Sequence, residues 1–488
     1  MEAKINEKNR YNRQELIEGW DQQKLTDSTI SIIGSDLLAQ YIAIPLSALG
    51  VGNIRIIDDA HATNDGFLDF TLEDNRAHSI EEKLKLVNPN INIMGLSSRL
   101  IGNASKYFLK GSDLIIDATN DPRSKALSLE YAYETKTPLI VTSSKSYYGK
   151  LILHDKITRD GRHLLYEFKD DEQDEFVSLV LGGLISEEVK KLLMNDNEKL
   201  SVPLYYNLKN RRRFTFGEEF ELEERKIGEF LNKDVLLIGA GALGNFVGLG
   251  LARLGVGRID IIDPDGIEDT NLNRQILYYD VVGEEKAKAL SEKIKKIGRK
   301  FINSDGFVDR FTEKSNFARK YDAIFDCVDN FTVRSVISDY AIKNKIPLIS
   351  GGTDYQAGQV AIYVPGKTSC MDCQLNIYEL GVKAEERRKK IGCLEAPNPS
   401  VIMTNQIIGG IMVNEARTIF NSKKYGEPIN GNLKYGASLE NRLGINFIKK
   451  VCECEPRGGL IIEEKNEEVP VVDMEKKEKK GKGILGLL

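Results

Sequence analysis

Apolar and polar positions follow one repeating order along this chain: a short apolar run, a turn, a segment with apolar residues on a helical period, then another short run. Ile30–Ile33, Val235–Ile238 and Ile259–Ile262 have the length and composition of strands buried on both faces. A helical period follows Gly241 as far as Leu254, and a second one runs over Val401–Phe420. Asn430-Gly431 and the alternation up to Ile448 predict paired strands. Strands alternating with helices predict an α/β fold around a parallel sheet.

The order occurs twice. Gly34-Ser-Asp-Leu-Leu-Ala39 follows the first apolar run as Gly239-Ala-Gly-Ala-Leu-Gly244 follows its counterpart. Leu49-Gly-Val-Gly52 aligns without a gap on Leu254-Gly-Val-Gly257, and Asp58 on Asp263. Asp113–Asn120 aligns on Asp322–Asp329, Thr137–Ile140 on Ile346–Ile349, and Gly149 on Gly358. An internal duplication follows. Only the second copy keeps Gly239, Gly241 and Gly244 as G-x-G-x-x-G between strand and helix, with an acid at the end of the next strand. In that arrangement the glycines let backbone approach a phosphate, the helix N-terminus offers N–H groups and partial positive charge, and Asp263 accepts from ribose hydroxyls. In the first copy Asp36 and Ala39 hold the second and third glycine positions, and an aspartate at a helix start competes with phosphate.

Beyond Asp263 the sequence reads D-P-D-G-I-E-D-T-N-L-N-R-Q, with Asp265, Asn271, Arg274 and Gln275, and Lys286 follows in V-G-E-E-K-A. Cations gathered beside a phosphate turn suit the splitting of a triphosphate better than hydride transfer. This run resembles the adenylating domain of ubiquitin-activating-type enzymes, the family that includes the ThiF and MoeB adenylyltransferases. The resemblance extends over about 10–155 and 225–457. It implies two Rossmann-like ThiF-type adenylation domains in tandem, a pseudo-dimer in one chain, with the first copy inactive and the second active. The expected divisions are 1–155, a connecting segment 156–224, 225–457 with a zinc knuckle and catalytic-cysteine loop, and a disordered tail 458–488.

The same resemblance assigns roles. Gly239, Gly241, Gly244, Asp263, Asp265, Asn271, Arg274, Gln275, Lys286 and Asp329 are expected to bind ATP, Asp329 beside Mg2+. Arg13, in Arg10-Tyr-Asn-Arg13-Gln ahead of Trp20, resembles an N-terminal arginine that reaches the partner subunit's ATP in homodimeric members. The gap-free offset puts Glu218 opposite it, so the second copy is expected to borrow Arg13 from the first. Arg274, Lys286 and Arg13 are then the catalytic cations.

Six cysteines and four histidines bear on what else the chain can do. All four histidines precede residue 164, which argues against a Cys–His hydrolase and against histidine metal ligands in the second half. Cys370-Met-Asp-Cys373 and Cys452-Glu-Cys454 are two thiol pairs suited to a tetrahedral Zn2+ site, the second C-x-C where the family often has C-x-x-C. Cys327 is expected to be buried within a strand and inert. Cys393 remains, before the Val401–Phe420 pattern, where a thiol near a helix start can have a lowered pKa. Its position resembles the catalytic cysteine of the ubiquitin-fold-modifier activating enzyme. The charged stretch between Cys373 and Cys393 is expected to form a crossover loop over a modifier's tail.

Net charge is −5 and no concentrated basic face stands out, which argues against nucleic acid as partner. Asp170–Glu175 reads as a solvated acidic loop, Val177–Ile185 as an apolar stretch packed on the body, and Arg211–Arg213 as a surface run or a phosphate contact. No apolar run reaches membrane-span length and residues 1–14 do not read as a signal peptide, so a cytoplasmic location is expected. The reading is ATP-dependent activation of a ubiquitin-like protein with an exposed C-terminal tail. Adenylation is followed by a thioester on Cys393 and transfer to a conjugating enzyme, the tail 458–488 helping that transfer. The alternatives are an adenylyltransferase for a sulfur-carrier protein and a peptide-modifying adenylase.

Overall fold

The computed structural model describes residues 10–62, 75–145, 147–155, 175–210, 212–217, 230, 232–297, 302–317, 319–391 and 399–457. The first half builds an eight-stranded sheet from β1 (Thr29–Ile33), β2 (Asn53–Ile57), β3 (Asn92–Leu96), β4 (Leu114–Asp117), β5 (Leu139–Lys145), β6 (Tyr148–His154), β7 (Leu204–Asn207) and β8 (Phe214–Phe216). The second half repeats it with β9 (Asp234–Ile238), β10 (Arg258–Ile262), β11 (Gly306–Phe307), β12 (Ala323–Asp326), β13 (Leu348–Thr353), β14 (Ala357–Tyr363), β15 (Gly431–Gly436) and β16 (Leu443–Phe447). The orders, β3-β2-β1-β4-β5-β6-β7-β8 and β11-β10-β9-β12-β13-β14-β15-β16, are the same. In each sheet the first five strands run parallel and the last three are added antiparallel. The duplication inferred from sequence is therefore a duplication of topology.

Buried strands such as Ile30–Ile33 and Val235–Ile238 are apolar at all positions but Ser31 because helices cover both faces of a parallel sheet. The stretch that reads in sequence as a connecting segment contributes Glu175–Leu193, β7 and β8 to the first half. Residues 156–174, 211 and 218–229 lie outside the described residues, and with them most of the acidic run and Glu218. Glu175 itself is not solvated. It opens the helix, buried, and accepts from Tyr41 Oη at 2.7 Å and Arg253 Nε at 2.6 Å.

Two 19-residue helices, Glu175–Leu193 and Ile402–Phe420, hold the halves together. Glycines let them come close. A Cβ at Gly182 would fall 2.4 Å from the Tyr41 carbonyl oxygen, and one at Gly409 would fall 2.7 Å from Phe246 Cβ. Gly183 is tight against Ile407, and Gly410 against Val180. One apolar core accordingly runs through both halves, from Ile30 and Tyr41 through Val180 and Ile407 to Phe246 and Tyr435.

Two buried ion pairs cross this junction reciprocally. Arg213, just before β8, places Nε 2.6 Å and Nη2 3.0 Å from the Glu415 carboxylate. Arg442, just before β16, places Nη2 3.0 Å from Glu188. Glu188 and Glu415 occupy the same position in the two helices, so each half grips the other's helix with an equivalent arginine. Arg213 is thus neither surface nor a phosphate contact: it is 1% exposed and spent on Glu415. Burial raises the Glu188 carboxyl, and Arg442 opposes that rise.

The charged stretch after Cys373 differs from the expected crossover loop. Ile377–Ile391 is a helix, as a run rich in Lys, Glu, Arg and Ala favours. Among the described residues no helix is long and apolar enough to cross a membrane.

Candidate functional site

A cleft of about 3300 Å3 opens along the carboxyl ends of the second sheet, where open α/β sheets bind ligands. Its inner end is the glycine turn. Gly239 has φ +94°, and a Cβ there would meet the Cys327 backbone at 2.9 Å. The turn thus lies against the end of β12 and leads directly into the helix Ala242–Arg253. Gly241 caps that helix without a side chain and has open space beside it. The free N–H groups at this helix start are aimed at whatever the turn receives.

Asp263 closes the turn from β10. Its carboxylate accepts from the Ala240 N–H at 2.6 Å and from the Asp265 N–H at 2.9 Å. Burial raises its pKa, while the two N–H groups and Lys286 pull it back. Lys286 Nζ lies 3.2 Å from Asp265 Oδ2, and its backbone N–H donates to the Asp265 carbonyl. The segment after Gln275 is stapled beneath the turn. Tyr278 Oη donates to the Ala240 carbonyl at 2.7 Å, and the Leu277 N–H donates to Asn245 Oδ1 at 3.0 Å.

Arg274 donates to the Thr270 carbonyl at 2.7 Å and to Asn273 Oδ1 at 2.8 Å, and borders the cleft. Burial and the nearby Arg13 lower its pKa to about 10. Two guanidiniums held close enough to repel favour an anion between or beside them. Asn271 turns its Oδ1 to the Glu268 N–H at 3.1 Å and Gln275 is buried; both still line the cleft. Asp329 lies just past β12, exposed to the cleft. Of the sequence-designated residues around the turn, Gly244 alone does not line it. Its role is packing, since a Cβ there would fall 2.1 Å from the Gly239 carbonyl oxygen.

Arg13 reaches this cleft from the first half. Arg10 anchors its segment through Asn88 Oδ1 at 2.6 Å and the Val87 carbonyl at 2.7 Å. Gln14 bonds the Leu49 carbonyl at 2.9 Å and receives Asn273 of the N-L-N-R-Q run at 3.4 Å. The Arg13 carbonyl accepts the Ser400 N–H at 3.2 Å. The Y-x-R-Q and N-L-N-R-Q runs, far apart in sequence, form one corner of the cleft.

Residues that sequence reasoning left out support the β12 end. Arg334 is 5% exposed; its Nη1 lies 2.9 Å from Asp326 Oδ2, and its Nη2 donates to the Gly351 carbonyl at 3.0 Å and to Val328, next to Asp329. The aligned pair Asp117 and Lys125 in the first half was the available signal. Cys327 lies one residue past β12 rather than within it and borders the cleft partly exposed. Burial and Asp326 still push its thiol well up, which leaves it a poor nucleophile.

The four paired cysteines meet at one point, with all Sγ atoms within 4.8 Å of one another. Cys373 and Cys454 Sγ are 3.5 Å apart, and the Cys370 N–H donates to Cys452 Sγ at 3.1 Å. Thiolates about 2.3 Å from a tetrahedral ion lie roughly 3.8 Å from each other, so the cluster could chelate a metal. Cys393 falls in 392–398, outside the described residues.

The ThiF family model matches residues 10–227 and again 215–455. Among curated relatives, adenylyltransferase and sulfurtransferase MOCS3-1 of Zea mays is 34% identical over 157 residues, 31% of this chain and 32% of that protein. Sulfur carrier protein ThiS adenylyltransferase of Bacillus subtilis (strain 168) is 38% identical over 153 residues, 30% of this chain and 45% of that one. SUMO-activating enzyme subunit 2 of Dictyostelium discoideum is 33% identical over 143 residues, 29% and 22% of the two chains. The chain spans less than half the length of these relatives. Among solved structures, E. coli MccB aligns with TM-score 0.40 and 23% identity, covering 49% of this chain and 68% of that one.

Proposed function

The chain belongs to the ThiF family, and from that premise we propose that its second half adenylates the C-terminal carboxylate of a small carrier protein or peptide while its first half supplies one arginine. The observation that carries this reading is the lining of one cleft by Arg13 of the first half together with Arg274, Lys286, Asp263 and Asp329 of the second. Two of the relatives are named as adenylyltransferases, one of them for the sulfur carrier ThiS, which supports a sulfur carrier over a conjugated modifier as substrate.

In the proposed step a carboxylate oxygen bonds to the α-phosphorus of ATP. The bond from that phosphorus to its bridging oxygen breaks, and its electrons leave with pyrophosphate. The carboxylate is already ionised at neutral pH, so the step needs no general base, in keeping with a second half that has no histidine. It needs positive charge where negative charge gathers, and Arg13, Arg274 and Lys286 supply that. The glycine turn holds phosphate oxygens by backbone N–H groups, and Asp263 holds the ribose. Mg2+, when bound with the nucleotide, adds charge neutralisation, and Asp329 is its candidate ligand. The cleft far exceeds the ~300–1,000 Å3 of a pocket for one small ligand, which supports a polypeptide substrate lying beside the nucleotide.

The finer form of the reading adds transfer. Cys393 thiolate attacks the acyl carbon and expels AMP, leaving a thioester for a conjugating enzyme, as in ubiquitin-like modifier activation. Pro399, Ser400 and Val401 line the cleft, and Cys393 precedes Pro399 by six residues, a reach of at most ~20 Å. The test is ATP–pyrophosphate exchange with a panel of sulfur-carrier and ubiquitin-like proteins, with mass spectrometry of the enzyme afterwards. Exchange establishes adenylation, and its absence with every carrier rejects it. A reductant-sensitive adduct lost in Cys393→Ala, with exchange retained, establishes the thioester. Exchange without any adduct assigns the enzyme to sulfur-carrier or peptide adenylation. Zn2+ is the ion proposed for the four cysteines, where it would close the knuckle. Elemental analysis should find about one per chain, and none in folded protein would reject it.

A further inference from the structure

The far end of the cleft belongs to the first half. The helix Glu175–Leu193 ends there, and Lys191 in its last turn and Glu198 in the segment after it reach the turn between β15 and β16. Lys191 Nζ donates to the Ala437 carbonyl, and also to the Glu198 carbonyl at 2.9 Å. Glu198 Oε2 accepts the Leu439 N–H at 2.8 Å, and its carbonyl accepts Arg442 Nη2 at 2.7 Å. On its other side, the Ala437 N–H donates to the Gln356 carbonyl at 2.7 Å. The turn, whose Ala437, Ser438, Glu440 and Asn441 line the cleft, is therefore fixed between the two halves.

The clamp does not follow the pseudo-symmetry of the junction. The Arg–Glu pairs occur in both directions, but Thr418 holds the place of Lys191 in the other 19-residue helix. Thr418 Oγ1 donates within its own helix, to the Glu415 carbonyl at 2.7 Å. The added contacts thus lie on the side that carries the intact glycine turn.

We propose that Lys191 and Glu198 are positioning residues for the carrier substrate: they fix the Ala437–Arg442 turn as the wall against which the carrier polypeptide lies while its carboxylate reaches the nucleotide. This rests on the adenylation reading. The first half then sets carrier affinity through this turn and, independently, the chemical step through Arg13.

The experiment is ATP–pyrophosphate exchange titrated separately in ATP and in carrier, with Bacillus subtilis ThiS and the same carrier panel as probes. Glu198 is exposed, so its substitution spares the fold. Glu198→Ala should raise KM for the carrier about five- to tenfold, the worth of one lost hydrogen bond, with KM for ATP and kcat within about twofold. Glu198→Gln, which keeps an acceptor, should restore the carrier KM. Lys191→Met should move the same parameter further. Equal rises in both KM values, or no rise in Glu198→Ala with an active wild type, overturn the positioning role. A wild-type enzyme without exchange on any carrier overturns the adenylation reading, and this inference with it.

Discussion

The two glycine turns stand at equivalent places in equivalent sheets, and they differ in what fills them. In the first half Asp36 stands at the start of the helix Leu37–Leu49, where its carboxylate is paired with Arg76, while the Ser35 hydroxyl donates to Asp58. The charge at the helix start and the acid at the end of β2 both have partners within this half. In the second half Gly241 leaves the helix start open, Ala240 offers Asp263 only its N–H, and of the neighbouring cations Lys286 pairs with Asp265 while the like charges of Arg274 and Arg13 repel. The fold is indifferent to this difference, since both sheets form with the same order. What separates a scaffold half from a candidate catalytic half is whether the strand-to-helix turn satisfies its own polar groups or leaves them for a ligand.

Carrying the first half's plug into the second is the largest perturbation. A Cβ at Gly241 meets nothing within 4 Å, so Gly241→Asp tests charge rather than fit. It should weaken ATP about a thousandfold, roughly 4 kcal/mol for like charges ~4 Å apart at an effective dielectric of about 20. Calorimetry should find one ATP per wild-type chain and none in this variant; two equivalent sites would break the comparison. Next comes the junction that makes the halves interdependent. Arg213→Ala leaves Glu415 buried without its partner and should cost about 3–5 kcal/mol, read from the denaturation midpoint. An unchanged midpoint would mean that the reciprocal pairs do not hold the halves together.

Arg13→Ala should slow adenylation about a hundredfold, roughly 3 kcal/mol, by analogy with arginine fingers. A normal rate would make the first half purely structural toward the chemical step. The smallest effect is on pH. Arg274 has a depressed pKa of about 10, so it loses its charge as pH rises through that value. An anion favours the charged form, so ATP should bind more weakly above about pH 10 and take up protons there. Calorimetry in two buffers of different ionisation enthalpy reads that uptake. For folding the sign is opposite: between about 10 and the ordinary arginine value the unfolded chain binds more protons, and this group's contribution to stability rises with pH.

Much of this comparison was legible in the chain. The degraded Gly34–Ala39 turn, the intact Gly239–Gly244 turn and the gap-free alignment of Asp58 on Asp263 are local patterns. The paired cysteines also converged as their spacing suggested. Other features were illegible because they depend on who lies opposite. Arg213 read as a surface or phosphate residue within a basic run, but Glu415 faces it across the junction. Cys327 read as interior to a strand, whereas β12 ends at Asp326, where Arg334 ties the strand end to the next helix. The Ile377–Ile391 stretch had the composition of a helix, and expecting a crossover loop there weighed resemblance above propensity.

The sequence by itself determined the repeated α/β order, the half that keeps the G-x-G-x-x-G turn and the residues that meet at the glycine-turn corner. These follow from short-range periodicity, turn chemistry and residue type, which act within a few positions of the chain. Only the tertiary structure decided that the stretch after β6 completes the first sheet, that Arg213 and Arg442 cross reciprocally, and that Lys191 and Glu198 wall the far end of the cleft. Those outcomes depend on burial and on partners hundreds of residues away. A buried charge is stable only opposite its counter-charge, and a linear sequence does not say which residue that will be.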